Sequence, residues 1–191
     1  MKVVLLGPPG SGKGTQGTVL ADQFRVRHLS TGDLLRLNIA EGTELGLLAA
    51  PYVERGDLVP DDLIMQMTGA AVLDAAAHGG YVLDGFPRTL AQAEAAYEFA
   101  KPADVTADAV VYFALPDEVA RERLASRAIA GRVDDADGDV IERRLKVFHE
   151  QTEPLLDFYR GRDILVTVDA TPPPEEVTRA MLDAMRSLGG G

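Results

Sequence analysis

The segment Gly7–Thr15, which reads GPPGSGKGT, constrains the fold more than any other part of the chain. It follows an apolar run, Lys2–Leu6, that favours a β-strand, and it precedes a stretch that favours a helix. Glycines let backbone N–H groups turn inward around an anion, and the N-terminus of the next helix adds positive potential. Lys13 can reach the outer phosphates of a nucleotide. The sequence therefore predicts a phosphate-binding loop; a glycine-rich turn without a ligand is the alternative.

Four more apolar runs favour strands, at His28–Leu29, Tyr81–Leu83, Ala109–Leu115 and Ile164–Val168. They lack polar alternation, as expected of strands covered on both faces, and helical stretches separate them. This pattern predicts an α/β fold in which helices flank a five-stranded parallel sheet. The carboxyl ends of parallel strands share one edge, so we expect the functional residues in the segments that follow the strands.

Local signals predict where three helices begin. Pro60 with Asp61 and Asp62 opens a helix that continues into Leu63–Ala77, and Thr89 caps one over Leu90–Ala100. Pro172–Pro174, followed by two glutamates, starts the last helix.

The 191 residues, 46% of them apolar, suffice for one core, and we expect a single domain over 1–191. No apolar run approaches the roughly 20 residues needed to span a bilayer, so we expect a cytoplasmic protein without a membrane partner. The chain has no cysteine, which excludes disulfides and cysteine-based zinc sites. We therefore expect any bound metal to be held by oxygen.

The charge pattern separates two kinds of anionic partner. A net charge of -11 argues against nucleic acid, which normally needs a basic surface. The 19 basic residues are nevertheless mostly arginine, whose planar fork suits bidentate phosphate binding. Local anion sites are therefore compatible with the acidic total; a compositional preference for arginine over lysine is the alternative.

Further motifs follow the phosphate loop in a fixed order. They are STGDLLR at 30–36, GDLVPD at 56–61, YVLDGFPRT at 81–89, RLASR at 123–127, GRVDD at 131–135 and RL at 144–145. With the loop, these motifs cover nearly the whole chain, and together they resemble the adenylate kinase family. The resemblance implies a P-loop nucleoside monophosphate kinase fold with an NMP-binding flap at 30–59 and a lid at 126–136. The lid is short and lacks the cysteine-bearing insertion that binds zinc in some members.

The resemblance also implies roles for individual residues. The expected ATP-binding residues are Gly10, Ser11, Gly12, Lys13, Gly14, Thr15, Arg123 and Arg127. The expected AMP-binding residues are Thr31, Arg36, Asp57, Leu58, Val59, Gly85, Phe86, Pro87, Arg88, Gln92, Arg132 and Arg144. The residues expected to act in catalysis are Lys13, Arg88, Arg127, Arg132 and Arg144. Arg143 is the neighbouring candidate for the last position, but Leu145 favours Arg144 because an RL pair occurs there in the family.

Two aspartates are candidate magnesium residues. Asp84 ends an apolar strand beside the strand of the phosphate loop, so its carboxylate can meet Mg²⁺ on the nucleotide phosphates, mainly through water. Asp33 can help in the same way. Both could instead be helix caps or solvated loop residues.

Other single residues keep a simpler alternative too. Arg123 and Arg127 are four apart and share a helix face. That face could be a solvated one with Glu118, Glu122 and Glu142 as partners. Gln92 could be an exposed helix residue.

The function implied by these motifs is reversible phosphoryl transfer from MgATP to AMP, giving two ADP, with magnesium and no zinc, by a monomer. A UMP/CMP kinase is the alternative within the class, and Thr31 with Gln92 favours adenine. A non-catalytic nucleotide-binding module is the alternative outside it, but such a module would not need Arg36, Arg88 and Gln92 around a second site.

Overall fold

The computed structural model of the chain describes residues 1–129 and 138–188. Its sheet has five strands: β1 Lys2–Leu6, β2 Arg27–Ser30, β3 Tyr81–Asp84, β4 Ala109–Ala114 and β5 Leu165–Asp169. All neighbouring strands are parallel, in the order β2-β3-β1-β4-β5. The predicted five-stranded parallel sheet is confirmed, and the strand ends agree with the predicted runs to within one residue.

Helices connect the strands and cover both faces of the sheet. In chain order they are α1 Lys13–Phe24, α2 Thr31–Glu41, α3 Glu44–Arg55, α4 Asp61–Ala77, α5 Leu90–Ala100, α6 Asp117–Ile129, α7 Gly138–Val147, α8 Leu155–Arg160 and α9 Pro174–Leu188. A 3₁₀ turn covers Lys101–Ala103 and a π-helical turn covers Phe148–Thr152. Helix α4 opens at Asp61, directly after Pro60, as predicted, and the two aspartates form its acidic first turn.

Hydroxyl side chains fix three helix starts. Ser30 accepts a hydrogen bond from the backbone N–H of Asp33 at the start of α2, and Thr43 does the same at α3. Thr89 accepts from the backbone N–H of Gln92, as its predicted capping role requires. The caps at Ser30 and Thr89 thus set the orientation of the first helical turns that follow β2 and β3.

The core consists of two apolar clusters, one on each face of the sheet. Along β1, Val3 and Leu5 belong to one cluster, and Val4 and Leu6 belong to the other. Successive side chains of a strand point to opposite faces, so a strand buried on both sides needs an uninterrupted apolar run. Among the described residues, no helix is both long and apolar enough to cross a membrane.

Strand β1 lies in the middle of the sheet, between β3 and β4. The chain passes from β1 toward β2 and β3 on one side, and later to β4 and β5 on the other. In open parallel sheets such a reversal leaves a crevice beyond the carboxyl ends of the strands. The segment 7–12 after β1 therefore enters that crevice, with the segments after β3 and β5 on either side.

His149 holds the π-helical turn against α6. One ring nitrogen lies 2.9 Å from Glu153 Oε2 and the other lies 2.9 Å from Asp117 Oδ1. Hydrogen bonds to Glu153 and then Asp117 raise the pKa of His149 above its ordinary value of 6.5. The ring thus joins two helical segments that line the crevice.

This contact predicts a pH-dependent contribution to stability. Because the folded-state pKa is raised, the contribution is complete below about pH 6.5 and is lost as the pH rises through the folded value. His149→Ala should lower the free energy of unfolding by up to about 1 kcal/mol near pH 5.5, the upper range for exposed ion pairs, and by less near pH 9. Urea unfolding at both pH values measures this difference.

The control is the Asp117→Asn, Glu153→Gln double variant, in which the effect of His149→Ala should no longer depend on pH. Equal destabilisation at both pH values in the otherwise wild-type chain would contradict the prediction.

Candidate active site

The loop between β1 and α1 packs tightly on α6. Gly10 has φ +83, and a Cβ there would lie 3.0 Å from the carbonyl oxygen of Ala120 and 3.3 Å from Leu124 Cγ. Only glycine accepts both this backbone conformation and this approach. The loop is therefore held between the sheet and α6, and α1 begins directly behind it.

Lys13 is the first residue of α1, and its side chain turns back onto this loop. Its ammonium group donates to the carbonyl oxygens of Gly7 at 2.8 Å and Pro8 at 2.9 Å, and to Ser11 Oγ at 3.3 Å. The pKa of Lys13 is lowered to about 8, mainly because the group is buried, while the charge of Asp84 opposes the shift. The charges of three arginines, Arg88, Arg144 and Arg127, contribute to the same lowering.

The same cations meet in one cleft of about 1010 Å³. Its wall includes Lys13, Arg36, Arg88, Arg127 and Arg144, which come from the phosphate loop, α2, the turn after β3, α6 and α7. Burial lowers the pKa of Arg88, and the neighbouring charge of Arg144 lowers it further. These positive charges repel one another, so a multiply charged anion bound in the cleft would stabilise them.

Two backbone contacts hold Arg88 in place. Its Nε donates to the carbonyl oxygen of Gly85 at 2.7 Å, and its own carbonyl accepts from Thr152 Oγ1 at 2.8 Å. Gly85 has φ +88, and a Cβ there would lie 2.3 Å from Thr31 Oγ1. The π-helical turn therefore positions Arg88 through Thr152, a buried residue that the sequence reading did not identify.

A sequence model of the family described as adenylate kinase matches residues 5–164. The adenylate kinase of Thermobifida fusca is 44% identical over 98% of this chain and 99% of its own length. That of Nocardia farcinica is 46% identical over 99% of both chains, and that of Streptomyces coelicolor is 38% identical over 97% and 99%.

The chain belongs to the adenylate kinase family.

Family membership confirms the resemblance read from the motifs, the P-loop α/β fold and the prediction of an adenylate kinase. Members of this family are nucleoside monophosphate kinases, which are phosphotransferases. The comparisons do not favour a UMP/CMP kinase or a non-catalytic module.

The predicted ATP-binding segments of this adenylate kinase family member lie on the wall of the cleft. The wall there includes Gly10, Ser11, Gly12, Lys13, Gly14 and Thr15, with Arg123 and Arg127 from α6. Arg123 donates to the carbonyl oxygens of Ala170 at 2.8 Å and Thr171 at 3.0 Å. Glu142 was one of the acids that could have paired with Arg123 and Arg127 on a solvated face, but it pairs with Arg121.

The turn after β5 is a part of the cleft that the sequence analysis did not claim. Its wall includes Ala170, Thr171, Pro172, Pro173 and Pro174. Buried Gln16 fastens this turn to α1 by donating to the carbonyl oxygen of Pro174 at 3.0 Å. The available signal was its place after the last parallel strand, since ligands bind at that edge of a sheet.

The predicted AMP-binding residues border a smaller pocket of about 80 Å³ that shares part of its wall with the cleft. Its wall includes Arg36, Asp57, Leu58, Val59, Gly85, Phe86, Arg88, Gln92 and Arg144, while Pro87 faces the main cleft. Gln92 is 3% exposed, so the exposed-residue alternative for it is wrong. Thr31 is not on either wall: it is buried, and its hydroxyl donates to the carbonyl oxygen of Asp84 at 3.0 Å.

Both candidate magnesium residues line the cleft. Asp84 ends β3 as predicted, and its Oδ2 would lie 3.7 Å from a Cβ at Gly14, close to the start of α1. Asp33 accepts a hydrogen bond from Arg36. Within residues 1–129 and 138–188, three or more acidic or histidine side chains do not gather into a metal cage.

The lid expected at 126–136 falls largely outside the described residues. Arg132 belongs to the part that is not described, while Ser126 and Arg127 line the cleft. The flap expected at 30–59 contains α2 and α3, and its end packs on α7: a Cβ at Gly56 would lie 3.0 Å from Arg144 Cγ.

Arg143 and Arg144 differ in their surroundings. Arg143 contacts Asp57 Oδ1 from Nε at 2.7 Å and from Nη2 at 2.6 Å, and Arg55 contacts Asp57 Oδ2 at 3.1 Å. Hydrogen bonds from Arg55 and then Arg143 lower the pKa of Asp57. Arg144 lines the cleft, whereas Arg143 is not part of its wall.

These surroundings predict unequal effects of two neighbouring substitutions. Arg144→Ala should lower kcat on the order of 10²-fold, the loss expected when a charge donor to the transition state is removed. Arg143→Ala removes only an exposed ion pair to the flap, so kcat should stay within about threefold of wild type. Steady-state phosphoryl transfer measures both, and equal losses would contradict the assignment.

Proposed function

We propose that this chain transfers the γ-phosphoryl group of ATP to AMP, with magnesium, giving two ADP, and so balances the adenine nucleotide pool. One observation carries the proposal: a single cleft joins the phosphate loop to Arg36, Arg88 and a separate small pocket. A protein that only held a nucleotide would have no use for a second cationic end. Two phosphate groups can meet there.

In phosphoryl transfer the protein mainly aligns the two substrates and neutralises their charge, and it takes little part in covalent chemistry. In this proposal Lys13 and the loop amides hold the phosphates of ATP, and Arg36 and Arg88 orient the phosphate of AMP. Arg127, Arg132 and Arg144 neutralise the charge that spreads over the transferred group. The attacking oxygen of AMP is already largely ionised, so the reaction needs no general base.

Asp84, assisted by Asp33, is the proposed magnesium residue. The donor set fits a hydrated ion, because Mg²⁺ keeps several waters and binds through one or two carboxylates plus the phosphates. The nearness of Asp84 to the start of α1 supports this assignment. When bound, magnesium neutralises charge on the phosphate oxygens of the nucleotide.

Water is the competing acceptor, so the site has to close before transfer. We propose that the flap at 30–59 and the lid at 126–136 move over the cleft, and that their opening limits turnover. We also propose that the protein acts as a cytoplasmic monomer that binds ATP, AMP and ADP and no nucleic acid.

The acceptor preference is the first prediction of this proposal. With MgATP as donor and AMP, UMP, CMP, GMP and dTMP as acceptors, AMP should give the fastest turnover in a coupled assay for ADP. Fastest turnover with UMP or CMP would favour the pyrimidine kinase, and no turnover with any acceptor would favour the binding module.

The second prediction concerns the phosphate contacts. Lys13→Ala and Arg88→Ala should each lower kcat on the order of 10²-fold or more, because each removes a charge aimed at the transferring group. Lys146→Ala and Arg160→Ala are matched controls, since both side chains are exposed and each pairs with an acid three or four positions away in the chain. Wild-type kcat in Lys13→Ala or Arg88→Ala would remove that residue from the mechanism.

A further inference from the structure

The side-chain amide of Gln92 is held at both ends by the protein. Its Oε1 accepts a hydrogen bond from the backbone N–H of Arg88 at 2.6 Å. Its Nε2 donates to Asp61 Oδ1 at 2.5 Å. Gln92 lies on the wall of the small pocket, whereas Asp61 lies on the wall of neither cavity.

These two contacts determine which way the amide faces. A backbone N–H can only donate and a carboxylate can only accept, so the oxygen must face Arg88 and the nitrogen must face Asp61. A rotated amide would place oxygen against the Asp61 carboxylate and nitrogen against the Arg88 N–H. Both hydrogen bonds would then be lost, because two acceptors would face each other at Asp61 and two donors would face each other at Arg88.

The positions of both contacts are fixed by helix starts. Thr89 Oγ1 accepts from the backbone N–H of Gln92 at 3.1 Å, which sets the first turn of α5. Asp61 is the first residue of α4 and follows Pro60, whose carbonyl accepts from Leu63 and Ile64. Two helix N-termini therefore meet at this buried amide.

A hydrogen-bonding edge of defined polarity remains for a ligand. The amide has two N–H donors and two oxygen lone pairs, and each protein contact uses one of them. One donor and one acceptor are left on an amide that lies on the wall of the small pocket. This pair fits a base that presents an exocyclic amine next to an unprotonated ring nitrogen, as a 6-aminopurine does. A 6-oxopurine in the same position presents an oxygen and a ring N–H, which is the opposite order.

We propose that Asp61 is a positioning residue that sets the acceptor specificity of the pocket. It fixes the Gln92 amide so that the site prefers a 6-aminopurine nucleotide to a 6-oxopurine nucleotide. This inference rests on the proposed function, because it concerns the base of the phosphoryl acceptor. Cytosine carries the same amine and ring-nitrogen order, so Asp61 acts on the choice between amino and oxo bases and not on base size.

The test compares AMP with inosine monophosphate, which differs from AMP only in the group at position 6 and the proton on the adjacent ring nitrogen. The variant Asp61→Ala leaves Gln92 held by Arg88 alone. It should lower the ratio of kcat/KM for AMP to that for inosine monophosphate by about tenfold, since discrimination then depends on a loosely held amide. The change should come from a higher KM for AMP, with the KM for ATP unchanged.

Two variants separate this role from support of α4. Asp62→Ala removes the other acidic residue of the same helix turn and does not contact Gln92, so it should keep the wild-type ratio. Asp61→Asn retains an oxygen that can accept from Gln92 Nε2 and should recover most of the ratio. If Asp61→Ala does not fold, Asp61→Ser serves in its place, because its hydroxyl is too short to reach the amide.

The outcomes are distinct. An unchanged ratio in Asp61→Ala, an equal fall in Asp62→Ala, or an equal rise in the KM for ATP would each overturn this inference while leaving the proposed function in place. A wild-type protein that neither phosphorylates AMP nor prefers it to inosine monophosphate would overturn both.

Discussion

The accumulation of positive charge at one edge of the sheet is the constraint on which the rest of the site depends. Burial lowers the pKa of Lys13 and of Arg88, and the nearby charge of Arg144 acts in the same direction on both. This occurs in a chain of net charge -11, so the cations are concentrated locally against the overall balance. Such a cleft is most stable when it holds a polyanion, which is the electrostatic requirement for bringing two nucleotide phosphates together.

The scaffold holds these cations with backbone contacts. Lys13 is surrounded by loop carbonyls, Arg88 is bound to Gly85 and Thr152, and Arg123 is bound to the turn after β5. Backbone carbonyls orient a guanidinium or ammonium group and leave its positive charge in place. A carboxylate in the same position would neutralise that charge. Arg143 shows the contrast: its charge is matched by Asp57, and it serves as a link between the flap and α7.

Most of the fold could be predicted from the sequence, because strands and helix starts are each indicated by residues that are close together in the chain. Apolar runs without polar alternation identify strands buried on two faces, and Thr89 is a cap residue with its helix directly behind it. The phosphate loop was equally predictable, since Gly10 and Lys13 act within one short segment. The contribution of Thr152 to Arg88 could not be predicted, because the two residues are 64 positions apart and a hydroxyl gives no sign of its partner.

The sequence by itself determined the strand-loop-helix unit, the order of the elements and the family, because these depend on residue types at short spacing. Tertiary structure decided which side chains share a wall. It buried Gln92 between the starts of α4 and α5, paired Arg143 with the flap, and turned the hydroxyl of Thr31 to the backbone of β3. Such choices depend on how distant elements pack, and the polarity of the Gln92 amide exists only once Arg88 and Asp61 have been brought to its two ends.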